Sequence, residues 1–341
     1  MLAAAALAGP RAWAQSSFLL ADGPGNTYPL ITAAGFGIEV PDCAHKVEHM
    51  SERFDAELGK NVFAFTMHMI DNDRCKNYDR QRIELRGSGA AQQGSKGKTT
   101  HYRWKFKLDQ GFRETPNFTH IFQIKAYGNG HGSGAPIVTL TPREGDRMEI
   151  YHRGTVKAAS LSKFKGVWIE AYIKAKHDKG GFLDVTLKRV SDGVVLHSYS
   201  ATNIDMWDNG AGYGAPKFGL YRSLNSKSSM RDEDVLFADF AVTAGEVEAP
   251  IPVSVRFPSQ ARPFALHGVT GGRASFSLQE AGDCRISIFD LSGRPVAPSF
   301  PFAGAPGLNR VTLPAAQPAP GLRVFRLEYQ GMAQSVPITG L

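Results

Sequence analysis

Over most of the first 240 residues, apolar and polar side chains alternate with a period of two. From His101 to Leu108 the alternation runs without a slip: Tyr102, Trp104 and Phe106 share one face, and His101, Arg103, Lys105 and Lys107 share the other. This is the pattern of a strand with one buried side. Arg80 to Arg86 behaves likewise, setting Arg80, Arg82, Glu84 and Arg86 against Gln81, Ile83 and Leu85. Residues 61–70 form a continuous apolar segment rich in aromatic and β-branched side chains. Further strands are expected at 119–126, 137–141, 148–152, 166–175, 183–189, 194–200, 217–222 and 235–243, separated by Gly, Asn and Asp. Amphipathic helical patterns are scarce.

Some eleven strands in about 230 residues predict an all-β fold, a two-sheet antiparallel jelly-roll sandwich of the concanavalin-like type. A second, shorter strand-rich stretch follows, with strands expected at 274–278, 284–290 and 322–328. It predicts a small immunoglobulin-like sandwich. Composition divides the two. Twelve of the 20 prolines lie after Ala249, and no lysine does. The expected organisation is a signal peptide at 1–14, a sandwich domain at 15–248, a linker at 249–252 and a C-terminal domain at 253–341.

The chain of 341 residues carries a net charge of +7, but the first domain is nearly neutral, so a general nucleic-acid binder is not indicated. No run reaches the roughly 18 apolar residues of a membrane-spanning helix. Leu2 to Gly9 is small and apolar, and Ala12-Trp13-Ala14 has the small-x-small form of a cleavage site, so export is expected. Export suits a disulfide between Cys43 and Cys75, 32 residues apart, with Cys284 left over. A Gly-x-Ser-x-Gly elbow is missing, as are a phosphate-binding glycine loop and a strand-spaced carboxylate pair for glycoside hydrolysis.

Three segments carry candidate chemistry. Arg80, Arg82, Glu84 and Arg86 put three cations around one acid, an arrangement that suits a carboxylate ligand. In His120-Ile121-Phe122-Gln123-Ile124-Lys125, Gln123 and Lys125 share one face, while parity sends His120 to the core side with Phe122. In Lys217-Phe218-Gly219-Leu220-Tyr221, Lys217, Gly219 and Tyr221 share a face, and Gly219 clears room beside the tyrosine.

Together the three resemble the motifs of jelly-roll alginate lyases. Arg82-Ile83-Glu84-Leu85-Arg86 resembles their Arg-x-Glu-Leu-Arg, Gln123-Ile124-Lys125 their Gln-Ile-His with Lys in place of His, and Lys217 to Tyr221 their Lys-Ala-Gly-x-Tyr. The order is the same, and the general pattern is similar to the broader group with glucuronan lyase and heparin lyase I. The resemblance spans about residues 45–243. It implies β-elimination on a uronic-acid polysaccharide by a secreted monomer, with Tyr221, Gln123 and His68 catalytic and Arg82, Glu84, Arg86, Lys125 and Lys217 binding substrate. His68 enters because a His lies on an earlier strand in glucuronan-lyase-like proteins. No cofactor is required. Calcium is common in such sandwiches, and Asp22 and Asp239, or Asp71-Asn72-Asp73, are its candidate ligands. The alternatives are a non-catalytic polysaccharide-binding protein on the same sandwich and a glycoside hydrolase. Residues 286–296 resemble the hairpin of C-terminal sorting domains of secreted bacterial proteins, with a plain carbohydrate-binding or spacer module as the alternative.

Overall fold

The computed structural model describes residues 15–41, 48–70, 79–246, 248, 264–270, 272–278, 280–290, 293–313, 322–330 and 332–339. The expected signal peptide, the 249–252 linker, Cys43, Cys75 and Asp71-Asn72-Asp73 lie outside the described residues. The described residues form two compact units divided at residue 256.

The first unit runs β1 (Gln15–Leu19), α1 (Thr27–Ala33), β2 (Phe36–Glu39), β3 (Met50–Asp55), β4 (Lys60–Met67), β5 (Arg80–Gly87), β6 (Thr99–Leu108), β7 (Thr119–Tyr127), β8 (Val138–Arg143), β9 (Arg147–His152), β10 (Thr155–Ser160), β11 (Ile169–Lys176), β12 (Gly181–Arg189), β13 (Val195–Ile204), β14 (Tyr213–Ser223) and β15 (Glu233–Ala244). An eight-stranded sheet has the order β13-β12-β11-β6-β15-β4-β3, with β1 also on β15; a seven-stranded sheet has the order β10-β9-β8-β7-β14-β5-β2. The neighbours pair antiparallel, and the non-sequential orders give the jelly-roll sandwich.

One apolar core lies between the sheets. Trp104 of β6 stacks on Phe122 of the opposite sheet at 4.6 Å and meets Phe218 edge-on at 5.0 Å. Aromatic pairs of this kind contribute about 0.5–1.5 kcal/mol beyond their area burial. β6 buries the face its alternation predicted.

The unit has fifteen described strands where about eleven were expected. β10 shows why: four of its six residues are exposed, so no apolar face marks it. β2 has only four residues, too few to show a period.

The second unit comprises β16 (Phe264–Thr270), β17 (Arg273–Leu278), β18 (Gly282–Phe289), β19 (Phe300–Gly304), β20 (Gly307–Thr312), β21 (Leu322–Tyr329) and β22 (Met332–Thr339). They form sheets β16-β17-β20 and β19-β18-β21-β22 around a core of their own, the small sandwich expected. Cys284 is buried there as a free thiol, and burial, then Asp283, raises its pKa. No helix among the described residues is long and apolar enough to cross a membrane.

Candidate functional site

The site is built on the outer face of the seven-stranded sheet, where β14 lies between β5 and β7. Against β5 the register is unbroken: Lys217 faces Arg86, Gly219 faces Glu84 and Tyr221 faces Arg82. Against β7 it slips. Lys217 faces Gln123 and Phe218 faces Phe122, but His120 is reached only at Tyr221. β14 therefore holds one extra residue, a β-bulge. Gly219 makes it possible, with φ at +145° and a backbone so close to β5 that a Cβ would fall 2.0 Å from the Ile83 carbonyl oxygen. The glycine is needed against β5.

The slip corrects the placement of His120. Strict alternation sent it to the core, yet it lies beside Tyr221 with ring centroids 6.0 Å apart. Its Nδ1 shares a 2.8 Å hydrogen bond with Thr141 Oγ1, which bonds in turn to Thr139 Oγ1 at 2.8 Å. Phe118 stacks on the imidazole at 5.3 Å and leans on Tyr221 at 4.9 Å. Burial, then Arg143 and Lys125, push the His120 pKa down to about 3, so the ring is neutral above mildly acid pH. A lone glycine inside a strand pattern is the sequence signal that announces such a bulge.

Beneath this wall lies a closed ion-pair layer. Glu84, 2% exposed, accepts hydrogen bonds from Gln123 Nε2 at 2.5 Å and Lys217 Nζ at 3.2 Å. Lys217, 4% exposed, also donates to Glu39 at 2.5 Å. Glu39 accepts from Arg82 Nη1 at 2.5 Å and pairs with Arg86 Nε at 3.8 Å. Burial alone would raise the Glu39 pKa, but Lys217 and Arg82 outweigh it and hold the carboxyl below its usual range. Buried charges persist when paired in this way. Glu84, Lys217 and Gln123, expected to bind substrate or, for Gln123, to act in catalysis, thus pair with one another and with Glu39 beneath the face. Glu39 was missed because its four-residue strand carries no pattern.

Above this layer, the Arg82 guanidinium lies 4.4 Å from the Tyr221 ring centroid. Arg80 Nη1 donates to the Tyr221 oxygen at 2.9 Å. Arg86 stands 5.7 Å from the ring centroid of Tyr127, further along the same face. Lys125 differs from the other cations in having no hydrogen bond or ion pair among the described residues. Burial first, then Lys217 and Arg82, lower its pKa. The face therefore presents a half-buried ammonium that Glu84 and Glu39 stabilise only through space, with no acid bonded to it among the described residues.

Other expected members lie elsewhere. His68 follows β4 in the eight-stranded sheet. Its ring meets His49 at 5.6 Å, and its carbonyl accepts from Gln81, on the inward side of β5. The Gln81 bond ties it to the inward side of β5, whereas Tyr221 lies on the outer face of that sheet. Asp239, a calcium candidate, has its two carboxylate oxygens on Lys60 and Lys105, cations where a metal site needs acids. Asp22 accepts from Asn26, while its own N–H is bound by Glu52. Among the described residues no group of three or more His, Cys, Asp or Glu could hold a metal ion. A cavity of about 600 Å³ belongs to the second unit, lined in part by Arg285, Arg326 and Glu328, and includes none of these side chains.

No family model and no curated protein matches the chain. Among solved structures it is similar to a family 7 alginate lyase, A1-II′, in complex with substrate (14% identity, 67% of this chain and 100% of that chain, TM-score 0.48). It is also similar to the marine PL-14 alginate lyase from Aplysia kurodai (12% identity, 68% and 99%, TM-score 0.46) and to an alginate lyase from Pseudomonas aeruginosa (16% identity, 61% and 97%, TM-score 0.41).

Proposed function

We propose that the chain is an exported polysaccharide lyase that cleaves a uronic-acid polymer by β-elimination. The observation that carries the reading is the Lys125 ammonium, with no hydrogen bond or ion pair among the described residues, on the same face as a tyrosine whose hydroxyl accepts from Arg80 and whose ring lies under the Arg82 guanidinium. Lys125 neutralises the C6 carboxylate, so the enolate-like anion formed when C5 loses its proton is stabilised. Tyr221, as phenolate, takes the C5 proton. As phenol it returns that proton to O4 while the C4–O4 bond breaks and the C4=C5 double bond forms. Nothing is consumed, and one residue acts as base and then as acid. His120, neutral and with Nε2 free of partners among the described residues, is a hydrogen-bonding wall for the sugar. A glycoside hydrolase would need two available carboxylates. Glu39, Glu84 and Glu149 on this sheet are all held in ion pairs.

The test is ultraviolet absorbance of unsaturated uronate after incubation with alginate, glucuronan, heparin and pectin. Product is expected from at least one polymer, and Tyr221→Phe should lower its rate by about 10²- to 10⁴-fold with binding retained. Binding of a uronan without product from any of them would make the chain a binding protein instead. Full activity in Tyr221→Phe would remove the tyrosine from the mechanism.

A further inference from the structure

Arg80 belongs to the first candidate segment but lies two residues before its Arg82-to-Arg86 motif, yet it is the side chain that bonds the Tyr221 oxygen. Its Nη1 donates at 2.9 Å, and its own position is fixed by Asp79, which accepts from Nε at 2.8 Å and from Nη2 at 2.5 Å. Because the guanidinium has only donors, the phenol oxygen must accept, and its hydrogen points elsewhere.

We propose that Arg80 is a positioning residue that poises Tyr221 for proton transfer, by holding its oxygen with an N–H donor and stabilising the phenolate. This rests on the lyase reading for its purpose, but the coupling itself is a property of the free protein. The charged and titratable groups facing Tyr221 are Arg80 and Arg82 from β5 and His120 from β7. Asp79 stands behind Arg80, Glu39 and Glu84 behind Arg82, and Lys125 and Arg143 near His120. The nearest acids among the described residues are each paired with an arginine, and the tyrosine oxygen meets a donor and no carboxylate among them. Asp79 first, and Tyr221 after it, hold the Arg80 guanidinium above its usual range, as an arginine shared between a carboxylate and a phenol oxygen should be. Arg80 is 40% exposed, so water screens part of the effect and a change of about tenfold is expected.

The experiment compares wild type, Arg80→Gln and Arg80→Lys. The first readout needs no substrate. Ultraviolet difference titration of tyrosinate, with Tyr221→Phe subtracted, isolates one ring among the ten tyrosines. In Arg80→Gln that ionisation should move up by about one pH unit, and Arg80→Lys should restore most of it. The second readout is the pH profile. Arg80→Gln should lose about tenfold in kcat/KM at neutral pH and regain it as the pH is raised. An unmoved tyrosinate signal, or a loss of activity equal at every pH, would overturn the proposal. Absence of unsaturated product from wild type would instead overturn the lyase reading, while the titration still decides the coupling.

Discussion

Each sheet of the first unit carries a strand with a one-residue slip, and the two differ in what they do with charge. In β14 the slip at Gly219 brings Tyr221 opposite His120 and leaves Lys125 on the same face with no acid bonded to it. In β15 the register slips against β6 between Ala238 and Ala241, and Asp239 there has φ of +55°. That conformation is uncommon for a residue with a Cβ. Its carboxylate is aimed at Lys60 and Lys105, which bind both oxygens. Burial would raise the Asp239 pKa, but Lys105 and Lys60 outweigh it, so the group stays ionised. Both irregularities re-aim a side chain. One closes on a satisfied triad, and the other holds open a face with positive charge to spare. An irregular strand is therefore not by itself a site; a cation with no acid bonded to it among the described residues distinguishes the two.

The largest effect should come from removing the bulge glycine. Gly219→Ala puts a Cβ 2.0 Å from the Ile83 carbonyl oxygen and 2.8 Å from the Glu84 Cα, at a φ that L-residues rarely adopt. Either β5 and β14 separate or the bulge collapses. A loss of about 3 kcal/mol is expected, measured as the shift in urea midpoint. Activity should fall with it, because collapse returns His120 to the inward face. A variant with wild-type stability and rate would show that the slip is incidental to the site.

Much of this fold is legible in the chain because burial imposes period two, and β6 reads correctly residue by residue. The site is legible only where period two persists. Arg82, Glu84 and Arg86 alternate on β5 as expected, and so do Gln123 and Lys125 on β7. His120 was misplaced because the slip reverses parity within the same strand. Glu39 and the fates of Glu84 and Lys217 depend on which side chains from four separated segments meet, and no local pattern encodes that. The equal-looking cations of the motifs divide into buried buttress and open contact only through Glu39.

The next effect is smaller and falls on the satisfied bulge. Asp239→Asn keeps the shape but leaves two ammonium groups facing each other. Asp239 is 9% exposed, and Lys60 and Lys105 are 25% and 19% exposed. The expected cost is about 2 kcal/mol, below that of breaking a fully buried pair. The sign with pH follows from the lowered pKa. The folded value lies below the unfolded one, about 3.9. The stabilisation is therefore complete above about pH 4 and drains away as the pH falls through the folded value. The stability gap between wild type and Asp239→Asn should be full at pH 7 and close towards zero in acid, as followed by thermal melts. A gap that stays constant with pH would mean that the charge is not what the triad contributes.

The smallest effect has the opposite sign and tests the other half of the contrast. Lys125 is half-buried and faces Lys217 and Arg82, so its charged form costs free energy in the folded state. That cost is present below the folded pKa of Lys125 and fades as the pH rises through it. Lys125→Met keeps an unbranched chain of similar length and removes the charge. At neutral pH it should stabilise the fold by about 0.5–1 kcal/mol, with the gain shrinking at alkaline pH where the wild-type lysine is neutral. Carboxylate binding should weaken in the same variant, seen as a higher Kd for uronate oligosaccharides by calorimetry. Stability rising while affinity falls is what a group kept for its ligand should give. If Lys125→Met loses stability instead, the ammonium is part of the packing, and the contrast between a closed and an open bulge is lost.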